Sequence, residues 1–163
     1  MRRHSAVMCL IAFLGVATMP PAAAQGNATD TLAVKNVEIQ FHQAGSILPR
    51  KNIDLMMSLF ADDAVLIDTA NANTRYNGKA EVRRYFETVA APFRPGNHWI
   101  GCTPAMRNRS DVKGNHATLY FECLWMDVDK NAIGSHSFSG MALVKVNGKW
   151  LVSGIKVDKV AGL

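Results

Sequence analysis

The spacing of apolar residues changes once along this chain, near His98, and that change limits the folds available to it. Before His98, apolar residues recur every three or four positions, which is the period of one helix face. After it, β-type runs alternate with turn residues, of which Asn147-Gly148 is the strongest signal because both central residues of a tight hairpin turn need positive φ. Helices followed by an antiparallel meander predict an α+β architecture.

The first half is predicted to contain three helices. The first begins at Asp30 or Thr31, ends before Pro49 and buries one stripe of apolar residues: Val34, Val37, Phe41, Ala44 and Leu48. The other predicted elements are helices Asn52–Phe60 and Lys79–Val89, a strand Ala64–Ile67, a loop Asp68–Asn77, and strands Trp99–Arg107, Ala117–Val128, Ile133–Val146 and Trp150–Val157.

The turns also predict the strand register. A turn at Asn147-Gly148 sets Gly140 opposite Ile155 and Phe138 opposite Val157. A turn at Lys130-Asn131 sets Trp125 opposite His136 and Cys123 opposite Phe138. A hairpin centred on Val112-Lys113 sets Cys102 opposite Cys123, Ile100 opposite Trp125 and His98 opposite Asp127, unless a bulge at Gly114 slips it. One apolar face is therefore predicted to carry two histidines.

The N-terminus is typical of an export signal. Arg2 and Arg3 precede an apolar run from Val7 to Val16, and small residues follow before Gln25. A membrane anchor would need about 20 apolar residues, and prolines interrupt this run earlier. We predict a signal peptide over 1–24, a flexible leader over 25–31, one domain over 32–160, and a periplasmic or secreted protein without a membrane association after cleavage.

Charge and motifs exclude several functions. Removing Arg2 and Arg3 from the net charge of +5 leaves +3, and the remaining basic residues are scattered, so no nucleic-acid surface is predicted. Neither a short metal-ligand spacing nor a phosphate-binding glycine loop occurs, so we predict no metal and no cofactor.

Three segments resemble a known superfamily: Leu59–Asp68, Gly78–Phe86 and Asn97–Gly101. The chain is similar to the nuclear transport factor 2-like superfamily, which includes SnoaL-like polyketide cyclases, ketosteroid isomerases and scytalone dehydratase. The resemblance implies a cone-shaped, cystatin-like roll of three N-terminal helices packed on a curved mixed or antiparallel β-sheet, around one apolar pocket.

The resemblance also implies site residues. Asp68 has the place of the isomerases' general base, and His98 that of a dehydratase acid/base histidine. The isomerases' oxyanion hole would fall near Gln43-Ala44 and Gly140, which cannot supply it. The alternatives are that Asp68 caps a loop and that His98 is satisfied by Asp127. The predicted pocket-lining residues are Phe60, Ile100, Phe121, Trp125, His136, Phe138 and Asp127.

Two further predictions concern pairing. Cys102 and Cys123 could form a cross-strand disulfide, or be two small buried hydrophobic residues. The sheet face opposite the predicted pocket face is more apolar than a face in contact with water needs to be. Together with the resemblance, this predicts a homodimer that pairs through Tyr120, Leu124, Met126, Met141, Leu143 and Val152.

The predicted function is an exported domain that binds a small apolar ligand. If it is an enzyme, it is a cofactor-free lyase or dehydratase, isomerase or cyclase, with Asp68 as base and His98 as proton donor. The alternative is a non-catalytic ligand-binding or dimeric interaction module.

Overall fold

The helices precede the long strands, as the change in periodicity predicts. The computed structural model describes residues 28–46, 52–93, 96–101 and 108–160. In chain order the elements are α1 (Ala28–Ser46), α2 (Ile53–Met57), β1 (Phe60–Asp68), β2 (Thr74–Asn77), α3 (Lys79–Thr88), a 3-10 turn (Ala91–Phe93), β3 (Trp99–Gly101), β4 (Asn108–Lys113), β5 (His116–Asp127), β6 (Ala132–Val146) and β7 (Lys149–Val160). The predicted α+β class is confirmed.

One mixed sheet carries the strands in the order β2-β1-β7-β6-β5-β3, and β4 also pairs with β5. Strand β1 runs parallel to β7, and the other pairings are antiparallel. Helix α1 buries the predicted stripe of Val34, Val37, Phe41 and Ala44 against the sheet, whereas Leu48 lies outside the described residues. The core therefore lies between the helices and one sheet face.

The hairpin between β6 and β7 turns where predicted. Asn147 and Gly148 have φ of 50° and 79°, and Val144 lies opposite Leu151. A register shift between Ala142 and Leu143 then moves Gly140 opposite Lys156 and Phe138 opposite Asp158. The predicted partners beyond the shift are wrong by one residue, because a bulge adds a residue to one strand.

The turn between β5 and β6 is longer than predicted. It spans 128–131, and the Asp127 carboxylate accepts the backbone N–H groups of Asp129 and Lys130 at 3.1 and 3.2 Å. This turn sets Asp127 opposite Ala132, two residues from the predicted pairing, and a register shift between Trp125 and Met126 recovers one of the two. Beyond that shift His136 lies opposite Leu124 and Phe138 opposite Glu122, one residue from the prediction.

The predicted hairpin at Val112-Lys113 is also wrong. Lys113 pairs with His116, so the turn residues are Gly114 and Asn115, and Gly114 supplies the positive φ of 58°. The predicted strand Trp99–Arg107 is described only as far as Gly101, and it pairs Ile100 with Met126 and not with Trp125.

Two elements near β1 differ from the prediction. Strand β1 begins at Phe60, where a helix was predicted, and its register against β7 shifts between Phe60 and Val65, a segment that includes the exposed Asp62 and Asp63. The predicted loop contains β2, which returns through a turn with Ala72 and Asn73 at φ of 52° and 57°. Periodicity missed this hairpin because β2 has only four residues, too few for an alternating pattern to be recognised.

Helix α1 begins at Ala28, inside the predicted leader, and its Asp30 carboxylate accepts hydrogen bonds from Lys145 Nζ at 2.6 Å and Trp150 Nε1 at 3.0 Å. The predicted signal peptide lies outside the described residues, so it stays a prediction. No helix in the part of the chain that the structure describes is both long and apolar enough to cross a bilayer.

The predicted dimer face needs correction. Met141, Leu143 and Val152 are buried in the core, on the face that the helices cover. The one-residue register errors exchange the faces of residues on β6 and β7, because side chains alternate along a strand.

Candidate functional site

A cavity of about 300 Å³ lies between the helices and the inner sheet face. Most of its wall is aromatic or aliphatic, and Phe121 and Trp125 line it as predicted, together with Phe86, Phe93, Trp99 and Val157. The ring centroids of Phe93 and Trp125 are 6.0 Å apart, and those of Phe86 and Phe93 are 5.3 Å apart, in edge-to-face contacts. The cavity size is at the lower end for small-molecule sites.

Asp68 lies at the end of β1 and lines this cavity, with only 5% of its surface exposed. It is opposite Val157 on the parallel neighbour β7, so β1 carries it onto the inner face. No residue in the described ranges hydrogen-bonds its carboxylate. Burial, and then the negative charge of Asp68, raise the pKa of Tyr85 far above its usual value, so this wall residue stays a neutral phenol.

A row of paired residues runs across the sheet from Asp68. Val157 follows on β7, Ser139 on β6, Phe121 on β5 and Asn108 on β4. Neighbouring strands are about 4.8 Å apart, so Ser139 lies about 10 Å from Asp68 along the sheet, with one apolar residue between them.

Helix α1 contributes a buried polar pair at the Phe121 end of the row. The His42 ring lines the cavity, packs edge-on against Phe121 at a centroid distance of 5.0 Å, and places Nδ1 3.0 Å from the Glu38 carbonyl oxygen. A carbonyl oxygen only accepts, so Nδ1 carries the proton. Burial lowers the pKa of His42, and this hydrogen bond partly offsets the effect.

Glu38 is 3% exposed, and its Oε2 accepts a hydrogen bond from Asn108 Nδ2. Burial raises the pKa of its carboxyl to about 7, against a smaller opposing effect of Lys35. Sequence reasoning missed both Glu38 and His42. The available signal was their place beside the apolar stripe of α1, where polar residues one helical turn apart face the core.

Two serines of β6 line the same cavity. Trp125 Nε1 donates to Ser137 Oγ at 3.0 Å, and Ser139 is 6% exposed. Both serines line the cavity because side chains alternate along β6, which places every second residue on the inner face.

The family is decided by a comparison of the whole sequence. The model of the SnoaL-like domain matches residues 41–149. The chain belongs to the SnoaL-like domain family. No curated protein is similar enough to count as a match. The predicted superfamily is thereby confirmed.

Solved structures agree with this SnoaL-like fold. A nuclear transport factor 2-like protein of unknown function from Pseudomonas putida has a TM-score of 0.68 at 13% identity, over 83% of this chain and 89% of that one. A cystatin-like protein of unknown function from Nostoc punctiforme has a TM-score of 0.66 at 17% identity, over 83% and 95%. A candidate scytalone dehydratase from Novosphingobium aromaticivorans has a TM-score of 0.62 at 13% identity, over 83% and 87%. These identities show the shared fold, and the predicted cystatin-like roll is confirmed.

The SnoaL-like domain does not bring the predicted Asp68–His98 pair together. His98 precedes β3, is 54% exposed, and pairs through Nδ1 with the Asp129 carboxylate at 2.9 Å. The shifted register sets Trp99 opposite Asp127, and it is Trp99 that lines the cavity. The sequence predicts His98 opposite Asp127, but the residue in that place is the next one in the chain, Trp99.

The other predicted lining residues are not in this cavity. Phe60 is buried in the core, Ile100 is partly exposed, and Asp127 holds the β5–β6 turn. Burial raises the pKa of Asp127, but hydrogen bonds from the Lys130 backbone, Trp99 and the Lys130 side chain outweigh it, so the net shift is downward.

Some predictions rest on undescribed parts of the chain. The side chains of His136 and Phe138 lie outside the described residues. The backbone register places His136 opposite Leu124, and it places Phe138 between Ser137 and Ser139 and opposite Glu122. Cys102 also lies outside, so the disulfide stays a prediction, while Cys123 lines the cavity. Within the described ranges, no three His, Cys, Asp or Glu side chains converge as metal ligands would.

Proposed function

We propose that this SnoaL-like domain is a cofactor-independent isomerase, lyase or cyclase that moves a proton on a small apolar ring compound, with Asp68 as the general base. The observation that carries the proposal is a buried carboxylate, without a hydrogen bond from the described residues, on the wall of an apolar cavity. Burying such a group costs free energy, so its presence favours a functional use.

The chemistry follows from the surroundings of Asp68. The carboxylate removes a proton from a carbon next to a carbonyl group, and the electron pair moves onto the carbonyl oxygen. Returning the proton to another carbon completes an isomerisation, loss of a leaving group completes an elimination, and attack on a second carbonyl closes a ring. A positioned base typically contributes about 10² to 10⁴ in rate.

The cavity limits the substrate. A volume of about 300 Å³ equals about ten water molecules of the liquid, which suits a molecule of one or two rings. Aromatic walls from Phe86, Phe93, Trp99 and Trp125 favour a flat ring over a branched chain.

The proposal is tested by deuterium exchange. The purified protein is incubated with a small-molecule extract of its host in D₂O, and mass spectrometry follows compounds that gain deuterium. We expect at least one ring compound to gain deuterium with the wild type and about 10²-fold more slowly with Asp68→Asn. Asp129→Asn is the matched control, because that carboxylate is exposed and pairs with His98. Equal exchange by wild type and Asp68→Asn would refute the role of Asp68.

A second candidate function is ligand binding without turnover. The observation that favours it is the pairing of His98 with Asp129 at the surface, which leaves the predicted acid/base pair unassembled. Native mass spectrometry of the protein from its host separates the two functions. A co-purifying small apolar molecule that gains no deuterium with the wild type supports a binding module.

We also propose that the chain is exported, on the basis of its N-terminal sequence alone. N-terminal sequencing of protein from the host's periplasm or medium is expected to begin near Gln25. Recovery of the uncleaved chain in the cytoplasm would contradict export.

A further inference from the structure

Asp68 brings a negative charge into the cavity that none of the described lining residues balances. Those residues include no lysine or arginine, and no ion pair within the described ranges reaches the carboxylate. His42 stays neutral because burial lowers its pKa. Burying a charge without an opposite charge costs free energy, and Asp68 is only 5% exposed. The cavity is therefore electrostatically complementary to a cation.

A continuous wall of aromatic rings begins beside this carboxylate. Tyr85 is close enough to Asp68 that, after burial, the carboxylate charge is the next cause of its raised pKa. The Tyr85 ring contacts Phe86 at a centroid distance of 5.2 Å, Phe86 contacts Phe93 at 5.3 Å, and Phe93 contacts Trp125 at 6.0 Å. The face of an aromatic ring is negative and attracts a cation within about 6 Å. The wall therefore favours the same ligand charge as Asp68 does.

The two indole rings of the cavity are held by their N–H groups. Trp125 Nε1 donates to Ser137 Oγ at 3.0 Å, and the Trp99 side chain donates to the Asp127 carboxylate. An indole has one donor and no acceptor, so an indole bonded in this way offers a ligand only its ring surface. The two rings thus supply no donor for an anion, whereas they can pack against a cation or a flat ring.

We propose that the cavity also binds a protonated arylalkylamine, that is, a single aromatic ring with a short chain that ends in an ammonium group. The ammonium donates hydrogen bonds to the Asp68 carboxylate, which only accepts, and the ring packs along Phe86, Phe93 and Trp125. The volume of about 300 Å³ limits the ligand to about this size.

This binding goes beyond the proposed function, because pairing with Asp68 requires no reaction. An ammonium group on Asp68 occupies the carboxylate that is proposed as the general base. An arylalkylamine is therefore expected to inhibit turnover by competing with the substrate for the cavity.

The test is calorimetric titration of the purified protein with probes of matched shape. Phenethylamine is protonated at about pH 7, as a lysine side chain is, whereas 2-phenylethanol is neutral and phenylacetate is an anion. We expect phenethylamine to bind at least about tenfold more tightly than 2-phenylethanol, and phenylacetate to bind most weakly. Butylamine, which lacks the ring, is expected to bind at least about tenfold more weakly than phenethylamine.

Asp68→Asn keeps the shape of the side chain and removes its charge. We expect this variant to weaken phenethylamine binding by roughly ten- to a hundredfold and to leave 2-phenylethanol binding nearly unchanged, which also shows that the cavity is intact. Asp129→Asn is the control, because that exposed carboxylate pairs with His98 at 2.9 Å, and it is expected to bind phenethylamine as the wild type does.

Equal affinity of the wild type for phenethylamine and 2-phenylethanol would overturn the inference. So would an equal loss of both probes in Asp68→Asn, which indicates altered packing, or an equal loss of phenethylamine in Asp129→Asn, which indicates a general effect of net charge. Butylamine binding as tight as that of phenethylamine would overturn the role of the aromatic wall.

The binding assay is independent of turnover, so the two proposals fail separately. Selective binding of phenethylamine without deuterium exchange in any host compound would refute the proposed enzyme while supporting the amine site. Deuterium exchange that continues unchanged at saturating phenethylamine would overturn the pairing of the ammonium group with Asp68.

Discussion

Replacing Glu38 by Gln is expected to stabilise the protein at alkaline pH. The carboxyl is buried on α1, and burial raises its pKa to about 7 from an ordinary value of 4.5. An acid whose pKa is raised by folding binds more protons in the folded state, so stability falls as pH rises from about 4.5 to 7. Glutamine keeps the shape and the oxygen that accepts from Asn108 but cannot ionise.

The magnitude follows from that pKa difference. At 1.36 kcal/mol for each tenfold change in proton affinity, the interval from 4.5 to about 7 corresponds to about 3 kcal/mol. Asn108, which bonds the carboxylate, is exposed, so solvent screening reduces the figure. We expect Glu38→Gln to raise the free energy of unfolding by about 1–2 kcal/mol at pH 8 and to change it little below about pH 4.5.

Urea denaturation at a series of pH values measures this difference. His42 changes stability in the opposite direction. Burial lowers its pKa, so its contribution to stability rises with pH up to about 6.5. Wild type and variant must therefore be compared at each pH. Glu87→Gln is the matched control, since Glu87 is exposed and pairs with Arg83 at 3.1 Å. A difference between wild type and Glu38→Gln that stays constant across the pH range would refute the reasoning.

Four further predictions concern the cavity and the pairings. Gly134→Ala would place a Cβ 2.9 Å from the ring of Trp99, which lines the cavity. We expect a loss of about 1–3 kcal/mol of stability, measured by denaturation, and weaker binding of nitrobenzene, a neutral ring compound small enough for the cavity, measured by titration. His98→Ala should change stability by no more than about 1 kcal/mol and leave nitrobenzene affinity unchanged, and a large loss of affinity would place His98 at the site. Light scattering at micromolar concentration should give a dimer mass, and a monomer mass contradicts the homodimer. Non-reducing mass spectrometry of the protein from its host tests the predicted Cys102–Cys123 disulfide, for which we expect a mass two hydrogens below that of the reduced chain, and thiol labelling of both residues would exclude it.

Local patterns predicted much of the fold correctly. The stripe of Val34, Val37, Phe41 and Ala44 is buried because a helix repeats its face every 3.6 residues, whatever lies opposite. The turn at Asn147-Gly148 forms because few other residue pairs tolerate positive φ at both centres. Asp68 could be placed in the cavity because the motif that carries it also ends the first strand.

The residues whose place at the cavity depends on strand register were predicted less accurately. The register shifts between Trp125 and Met126 and between Ala142 and Leu143 are each small, but a net slip of one residue exchanges the two faces of a strand. The slip between β5 and β6 puts Ser137 and Ser139 on the cavity wall where Phe138 was expected. A separate slip of one residue between β3 and β5 puts Trp99 there in place of Ile100.

The sequence by itself determined the three helices, the long C-terminal strands, the α+β class and the position of Asp68, because helix periodicity, turn chemistry and a short motif are local properties of the chain. The tertiary structure decided which polar groups accompany Asp68. Glu38 and Asn108 are far apart in sequence, and the serines of β6 meet the cavity only through the observed register. Such pairings depend on bulges and turn lengths that balance packing over the whole sheet, so no single segment of the sequence specifies them.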